Sequence, residues 1–282
     1  MKLSLSARIG EKFSAKREAA VPLSELADIA AANGYHALCM RASLIGIHTP
    51  RAEVIEAAHL LRQKGLAVSM VTGDFPIPEN SDEGPLALRN IAPYLDLAEA
   101  LSCDLLRVAL RKAEDIPWAQ RAADQAGERG IRLAHQCHNK SLFEQIDASV
   151  DVLRRIGRKN FGLTYEPGNL ELCGESYGRA TIEKFAPYLF NVYLQNQRLH
   201  PAAKSVMVTW CRGNVPFDQI QVHDPGGIDF GEIMQSLAAI GYDGYVTIHD
   251  ASLGKPREDA EKNARHLRSL AHFEPADRSL VS

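Results

Sequence analysis

The sequence predicts a single α/β domain folded as a (β/α)8 TIM barrel, and three observations support this prediction. First, the chain has 282 residues, a typical length for one such barrel. Second, short apolar runs alternate with longer segments of helical periodicity, as repeated βα units around a parallel sheet require. Third, eight apolar runs can be placed, at residues 3–8, 36–42, 67–73, 104–111, 131–138, 161–166, 189–195 and 244–249.

The segments between these strands carry residues that begin and end helices. Thr49-Pro50 can cap and start one helix, and Ser141 with Glu144 has the spacing of a capping box. Asp229 with Glu232 repeats that spacing after strand seven. A left-handed residue can end a helix without steric penalty when it is glycine. The glycines that follow helical segments are Gly34, Gly65, Gly130, Gly157 and Gly241.

Two regions depart from the repeating pattern. Residues 196–227 show little helical periodicity and form a connection far longer than an ordinary βα loop. Such connections often act as lids or binding loops, and this one follows strand seven, so we expect a lid loop over the C-terminal mouth of the barrel. Residues 274–282 have little apolar surface to bury. The predicted barrel domain therefore spans residues 1–273 and is followed by a mobile tail.

Composition argues against several classes of protein. The formal net charge is −3 and Lys and Arg are scattered, so neither nucleic acid nor a membrane surface is an expected partner. There is no apolar run of membrane-spanning length and no signal-peptide pattern at the start, which predicts a cytoplasmic protein. The five cysteines are far apart, without a C-x-x-C pair. This spacing favours reduced thiols over a disulfide framework or zinc site.

Side chains alternate along a strand, so each apolar run has one face toward the helices and one toward the barrel interior. The helix-facing set is apolar: Leu3, Leu5, Leu38, Met40, Leu106, Val108, Leu110, Phe161, Leu163, Tyr165, Phe190, Val192, Leu194, Val246 and Ile248. The interior set is mostly polar: Ser4, Ser6, Arg8, Cys39, Arg41, Arg107, Ala109, Arg111, Gln136, His138, Thr164, Glu166, Asn191, Tyr193, Gln195, Thr247 and His249. Its C-terminal members should meet at the mouth, where barrel enzymes place their chemistry. The structural alternative makes Arg8 and Arg41 ion-pair partners and Tyr193 a wall residue.

Two of the predicted strand ends resemble motifs of a known superfamily. Residues 130–139 read GIRLAHQCHN and residues 161–170 read FGLTYEPGNL. In the sugar phosphate isomerase/epimerase superfamily, the xylose isomerase-like TIM barrels, an acidic residue and a histidine end one strand and an Asp-Pro-Gly-Asn turn ends the next. The chain resembles this superfamily along most of its length. It departs from the motifs in having Gln136 for the first acid and Glu166 for the aspartate.

The resemblance implies a divalent metal site with ligands from strands five to eight. Superfamily members commonly supply Glu, Asp, His and Glu, and the matching positions here are Gln136, Glu166, Tyr193 and His249. Only Glu166 is anionic, whereas Mg²⁺ prefers several oxygen ligands that usually include carboxylates. A site built from Glu166, Gln136 and His249 would suit Mn²⁺, Fe²⁺, Ni²⁺ or Zn²⁺ better than Mg²⁺. A site without metal is the open alternative.

The substitutions also change the expected mechanism. Two opposed carboxylates are absent, because the amide of Gln136 cannot act as a base near neutral pH. We hypothesise that His249 or His138 removes a proton next to a carbonyl, with Glu166 as second acid/base or metal ligand. The expected substrate is small and polyhydroxylated, and arginines favour one with an acid group. The predicted substrate-binding residues are Arg41, Arg107, Arg111, Asn169, Tyr193, Gln195, Arg212 and His223.

Alternatives to an isomerase or epimerase stay open. A dehydratase or other lyase, or a hydrolase, could use the same barrel, because fold does not determine reaction type. A non-catalytic descendant could bind a sugar acid or serve as a partner subunit, since several ligand positions are substituted. Endonuclease IV shares the architecture, but it needs a richer metal cluster and a basic surface facing DNA. Dimers are common among similar proteins, so a homo-oligomer is compatible with the resemblance.

Overall fold

The computed structural model describes residues 1–12, 15–72, 81–252 and 254–276. Eight parallel strands close into the predicted barrel, and five further strands form two small antiparallel sheets. Numbered along the chain, the strands are β1 (Lys2–Ser6), β2 (Glu11–Lys12), β3 (Ala15–Ala19), β4 (Ala37–Met40), β5 (Ala67–Val71), β6 (Leu105–Val108), β7 (Arg132–Gln136), β8 (Phe161–Tyr165), β9 (Leu189–Leu194), β10 (Asn196–Leu199), β11 (Ser205–Thr209), β12 (Gly213–Ile220) and β13 (Tyr245–Ile248). The order around the barrel is β1-β13-β9-β8-β7-β6-β5-β4.

Helices follow the barrel strands on the outside of the sheet. They are α1 (Leu23–Ala32), α2 (Arg51–Gln63), α3 (Ala92–Ala100), α4 (Ile116–Glu128), α5 (Ile146–Ile156), α6 (Pro167–Leu172), α7 (Arg179–Phe185), α8 (Phe230–Ala239) and α9 (Pro256–Leu270). Short 3-10 turns lie at Ala7–Gly10, Gly84–Arg89, Ala113–Asp115 and Ala186–Tyr188. In the part of the chain that the structure describes, no helix has the length and apolarity needed to span a bilayer.

All eight predicted barrel strands are present, but each ends earlier than predicted. β7, for example, ends at Gln136, and β6 ends at Val108. The backbone leaves the ladder at these points to enter the loops of the mouth. Glu166, predicted as the last residue of strand six, is instead the residue that precedes α6. The last residue of the predicted third strand, at position 73, lies outside the described residues.

Of the three predicted N-terminal helix caps, the structure shows one, at Asp229. Asp229 caps α8, since its Oδ1 accepts a hydrogen bond from the Glu232 N–H at 3.0 Å. α2 begins after Pro50, but Thr49 accepts from the Gly46 N–H and does not cap the helix. The capping box at Ser141 and Glu144 is wrong, because α5 begins at Ile146. The carboxylate of Glu144 instead accepts hydrogen bonds from the distant segment 210–211.

The packing confirms the predicted division of the strand faces except at Phe190. That residue was expected to face the helices, but it packs against the interior cluster that contains Tyr193, because the register of β8 and β9 shifts between Leu163 and Thr164. Leu3 and Leu38 belong to the core between strands and helices and are fully buried. The interior holds hydrogen-bonded polar pairs: Ser4 Oγ lies 2.7 Å from Ser69 Oγ. Buried hydroxyls that find partners in this way avoid the penalty of an unsatisfied polar group. The polar residues at the C-terminal ends of the strands consequently face one another across the mouth.

The long connection after β9 contains regular structure that the sequence analysis did not predict. β10, β12 and β11 form an antiparallel sheet in that order, with Asn196 opposite Ile220 and Thr209 opposite Gly213. We call residues 196–220 the lid sheet. Asp250, which follows β13, accepts hydrogen bonds from the backbone of Asn196 and of Val222. The two ends of the lid sheet are therefore held at the barrel mouth by one buried carboxylate.

Gly227 lies where the chain passes under the lid sheet, and we expect it to tolerate no side chain. Its φ is +82°, and an added Cβ would lie 2.2 Å from the carbonyl oxygen of Gln197 and 2.3 Å from Oδ1 of Asn196. Gly213 also has a positive φ, +69°, but nothing lies within 4 Å of its Cβ position. Gly213→Ala should therefore lose only about 1 kcal/mol of unfolding free energy. Gly227→Ala should lose about 1–3 kcal/mol more, because of overpacking.

Urea denaturation of the two variants and the wild type measures this difference. The expected order of midpoints is wild type, then Gly213→Ala, then Gly227→Ala. Equal midpoints for both variants would show that the close approach at Gly227 does not limit stability.

The described chain ends beside its first residue. The Glu274 N–H donates to the Met1 carbonyl oxygen at 3.0 Å, and Phe273 is buried. Residues 277–282 lie outside the described residues. The mobility of the tail stays a prediction.

Candidate active site

A cavity of about 200 Å³ lies at the C-terminal ends of the barrel strands. The barrel contributes Arg8, Arg41, Arg107, Gln136, His138, Glu166, Asn169, Gln195 and His249 to its lining. The lid sheet contributes Asn196, Gln197, Met207, Phe217 and Gln219. The cavity therefore suits a small molecule rather than a polymer.

Glu166 supplies the carboxylate of this cavity and is held by a hydrogen bond from its own helix. Its side chain is fully buried, and Asn169 Nδ2 donates to Oε2 at 2.8 Å. The same Asn169 amide donates to the carbonyl oxygen of Cys137 at 2.9 Å. Pro167 and Gly168 start α6 directly after Glu166, so this amide comes to lie beside the carboxylate it orients. Gly168 also packs closely against Gln195, whose Cγ would lie 3.2 Å from an added Cβ.

His249 lies at the mouth after β13, which only β9 separates from β8, and it is held at one face and one edge of its ring. Its backbone N–H donates to Leu194 O at 2.8 Å, and its Nδ1 lies 3.0 Å from Ser6 Oγ. The ring stacks on Tyr193, with centroids 3.9 Å apart and planes at 8°. When the Ser6 hydroxyl accepts from Nδ1–H, Nε2 is the basic nitrogen.

Tyr193 supports His249 and does not line the cavity. It is fully buried, and its hydroxyl lies 3.0 Å from Cys39 Sγ. Burial raises the pKa of its phenol well above the usual value, so Tyr193 stays protonated and neutral. The packing supports the wall role of Tyr193, and its contact with substrate stays a prediction.

His138 is the second histidine of the cavity. Its side chain is partly exposed, and its Nδ1 lies 2.9 Å from the Asn139 carbonyl oxygen. A carbonyl oxygen can only accept, so Nδ1 carries the proton in the neutral ring and Nε2 is basic. In these tautomers His138 and His249 each have an unprotonated Nε2.

Arg8 and Arg41 are held side by side by a buried carboxylate that sequence analysis missed. Glu11 accepts from Arg8 Nη1 at 3.2 Å and from Arg41 Nε at 2.6 Å. The Ser43 hydroxyl adds a third hydrogen bond at 2.8 Å. Burial lowers the pKa of Arg8, and the charge of Glu11 opposes that shift. Both arginines also line the cavity, so the ion pair positions them for a ligand.

Three of the predicted substrate-binding residues lie away from the cavity. Arg111 pairs with Asp82 and stacks on the ring of Trp210. Arg212 donates to the carbonyl oxygens of Glu171 and Leu172. The backbone N–H of His223 donates to Asn263 Oδ1, and its Nδ1 lies 2.6 Å from that oxygen. None of the three lines the cavity, because each side chain holds the lid sheet or the segment behind it, and their contact with substrate stays a prediction.

A comparison with protein families identifies the chain. The model of the xylose isomerase-like TIM barrel family matches residues 27–270. The chain belongs to this family. The resemblance seen at the ends of strands five and six is therefore confirmed.

Several similar proteins share the fold of this chain at low sequence identity. Inosose dehydratase from Geobacillus thermodenitrificans (strain NG80-2) is 23% identical over 158 residues, 54% of this chain and 52% of that protein. The match thus spans about half the length of that relative. Two solved structures show the same fold. The probable 3-DHS dehydratase AsbF from Bacillus anthracis has a TM-score of 0.74 at 13% identity, and the match covers 95% of this chain and 99% of that one. D-psicose 3-epimerase from Clostridium cellulolyticum H10, solved with D-tagatose, has a TM-score of 0.70 at 15% identity, and the match covers 96% of this chain and 99% of that one.

The ligand positions of this xylose isomerase-like barrel do not fit a Mg²⁺ shell. The Tyr193 hydroxyl contacts Cys39 Sγ beneath His249 and does not reach the cavity, and the Gln136 side chain is uncharged. Arg107 lines the same cavity and would repel a cation. Among the described residues, the group of three His, Cys, Asp or Glu side chains that could hold a metal lies elsewhere. A softer ion at Glu166, Gln136 and His249 stays a prediction.

Two titratable residues next to the site take no part in its chemistry. His135 is buried against Phe143, with ring centroids 4.1 Å apart, and burial lowers its pKa to about 3. Burial raises the pKa of the Cys137 thiol to about 12. Neither group exchanges a proton near neutral pH, which leaves the two cavity histidines and Glu166 as acid–base candidates.

The lining residues from the lid sheet were missed by the sequence analysis. Phe217 and Gln219 lie two residues apart on β12 and face the cavity together. The sequence did carry a signal for a hairpin here. It consists of a β-branched run in Ser205–Thr209, a short turn, and alternating residues in Gly213–Ile220.

Proposed function

We propose that this protein is an enzyme that removes a proton next to a carbonyl of a small, acidic, polyhydroxylated substrate, as sugar isomerases and epimerases do. One observation carries the proposal: a buried carboxylate, Glu166, and an oriented imidazole, His249, line the same small cavity. Groups that can each accept and return a proton are what enolisation requires. The family membership supports a sugar-modifying enzyme in general terms.

His249 is proposed as the base. Its ring is fixed by Ser6 and Tyr193, so the basic Nε2 is held in one orientation. The ring is 9% exposed, and this partial burial limits competition from bulk water. An oriented imidazole can take the proton from carbon and, as imidazolium, return it on the same face to the neighbouring carbon. Inversion at one carbon requires a second proton donor on the other face, and His138 lines the same cavity.

Glu166 and Gln136 are proposed to act on the oxygen atoms of the substrate. Glu166 can move a proton between hydroxyl and carbonyl oxygens, while Gln136 can only form hydrogen bonds. Gln136 Oε1 is buried and has no hydrogen-bond partner among the described residues. A buried acceptor without a donor is unfavourable, and a substrate hydroxyl would satisfy it.

The charge of the cavity favours an anionic substrate. Its charged lining consists of Arg8, Arg41 and Arg107 against Glu166. The buried Glu11 offsets one charge of the Arg8 and Arg41 pair, so a net positive charge is left. Guanidinium groups pair bidentately with carboxylate and also stabilise the negative charge that develops on an enolate. We therefore propose a sugar acid rather than a neutral sugar as the substrate class.

Solvent isotope exchange tests the proposal. The protein is incubated in D₂O with a panel of keto sugar acids and with neutral ketohexoses as the matched control. The expected result is deuterium at the carbon next to the carbonyl, with faster exchange for the acids. Exchange with neutral sugars alone would overturn the assignment of the arginines. No change in any compound would favour a binding protein over an enzyme.

Dehydration is the second candidate, and one observation favours it. The cavity pairs an imidazole with a carboxyl group instead of two equivalent carboxylates, and unlike groups suit a base at carbon and an acid at the leaving hydroxyl. The inosose dehydratase match is consistent with this reaction. In the same experiment, a product lighter by one water identifies elimination.

A further inference from the structure

The turn between β11 and β12 is docked onto the barrel away from the cavity. Glu144 Oε1 accepts from the Trp210 N–H at 2.7 Å, and Oε2 accepts from the Cys211 N–H at 2.9 Å. Arg212 reaches two carbonyl oxygens at the end of α6, each at 3.3 Å. This turn is thus the point at which the lid sheet is attached to the loops after β7 and β8.

Three metal-binding side chains meet at this attachment. A carboxylate oxygen of Glu144 and the Sγ atoms of Cys173 and Cys211 all lie within 4.8 Å of one another. They come from three separate segments: the loop after β7, the end of α6, and the lid turn. Cys173 is buried and Cys211 is exposed, so solvent reaches the group from one side.

We propose that Glu144, Cys173 and Cys211 bind a thiophilic divalent cation such as Zn²⁺. Two thiolates and a carboxylate are ligands that Zn²⁺ accepts in tetrahedral geometry, with water in the fourth position. Zn–S bonds of about 2.3 Å place tetrahedral ligands nearly 4 Å apart. The ligand atoms therefore need to move inward by only about 1 Å. On binding, the cation displaces both thiol protons to solvent.

The hydrogen bonds of Glu144 are compatible with this role. Each carboxylate oxygen has two lone pairs, and the backbone N–H groups of residues 140, 210 and 211 use three of the four. One lone pair is left for the cation. These hydrogen bonds also fix the carboxylate before the cation binds, which lowers the entropy lost on binding.

This cation site is distinct from the proposed active site, and its expected effect is on the position of the lid sheet. None of its three ligands lines the cavity, but the lid sheet that carries Cys211 also carries Met207, Phe217 and Gln219. Cys173 ends the helix that begins directly after Glu166. A bound cation would therefore link the roof of the cavity to the helix that positions its carboxylate. The inference does not depend on the proposed reaction.

Cobalt titration of the full chain tests the proposal. The protein is reduced with a phosphine, which leaves no competing thiol, and Co²⁺ is added alone. Cobalt bound by thiolates has a strong near-ultraviolet charge-transfer band, which a site made of Glu166, Gln136 and His249 cannot produce. The band is expected to saturate at one Co²⁺ per chain and to disappear when Zn²⁺ is added in competition.

Matched cysteine variants assign the band. Cys211→Ser changes an exposed side chain and should weaken cobalt binding at least tenfold; Cys173→Ser should do the same. Cys103→Ala is the control, because Cys103 is buried and bonds to Leu105 O, away from the cluster. Zn²⁺ should raise the Tm of the wild type and of the control but not of Cys211→Ser. An unchanged band in Cys211→Ser, or no band in the reduced wild type, would overturn the proposal.

Discussion

Replacing His249 by alanine is expected to lower kcat by about 10²- to 10⁴-fold, the usual loss when a general acid–base group is removed. The ring is held by Ser6 Oγ at 3.0 Å and stacked on Tyr193 at 3.9 Å, so its Nε2 has one orientation toward the cavity. Alanine leaves the substrate contacts of the arginines in place. The effect should therefore fall on kcat much more than on KM.

The measurement is steady-state turnover together with solvent deuterium exchange on the substrate that the panel identifies. His59→Ala is the matched control, because His59 is exposed on α2. Added imidazole should restore part of the activity of His249→Ala by entering the space of the missing ring. Full turnover by His249→Ala would transfer the base role to His138, whose Nδ1 is similarly fixed.

Glu166→Gln is expected to lower kcat by a similar factor of about 10²- to 10⁴-fold. The substitution keeps the shape of the side chain. It also keeps an oxygen that can accept a hydrogen bond from Asn169 Nδ2, which lies 2.8 Å from Glu166 Oε2 in the wild type. It removes the only negative charge among the cavity-lining residues that the structure describes. The loss should therefore report proton transfer rather than a collapsed site.

Two controls separate chemistry from folding in this variant. Glu183→Gln changes an exposed carboxylate on α7 whose pair with Arg179 lies at the surface, and it should leave kcat unchanged. Urea midpoints of both variants show whether the barrel is intact. A rise in KM with unchanged kcat in Glu166→Gln would make this residue a substrate-binding group and would contradict its acid–base role.

The fold could be predicted because its signals are local. Alternation of apolar and polar residues assigned Leu3 and Leu38 to the outer core and Ser4 to the interior, where the structure places them. Gly157 was assigned to the end of a helix, and it caps α5 with φ +60°. Each of these predictions depends on a few neighbouring residues and on a period of two or 3.6.

The candidate site was predictable in part for the same reason. Glu166, Gln136 and His249 occupy strand ends, and the strand pattern alone indicates that they meet at the mouth. Tyr193 follows the same pattern and yet lies beneath His249. The alternation gives the direction of a side chain but not its depth, which depends on the neighbouring ring that covers it.

Contacts between distant segments were outside the reach of the sequence. Ser141 and Glu144 have the spacing of a capping box, but the Glu144 carboxylate lies where the N–H groups of Trp210 and Cys211 need an acceptor. The pairing of Glu11 with Arg8 and Arg41 likewise depends on two loops that meet. The cysteine spacing argued against a zinc site, and only the folded chain brings Cys173 to Cys211.

The sequence by itself determined the barrel, the inward face of most strand positions and the family, because hydrophobic periodicity and a short motif are properties of consecutive residues. Only the tertiary structure decided which polar residues share the cavity, that the lid is a sheet, and that its turn carries a cluster of thiols and a carboxylate. These outcomes depend on hydrogen bonds and charges between segments far apart in the chain. Such interactions act over a few ångströms, so they exist only after the barrel has closed.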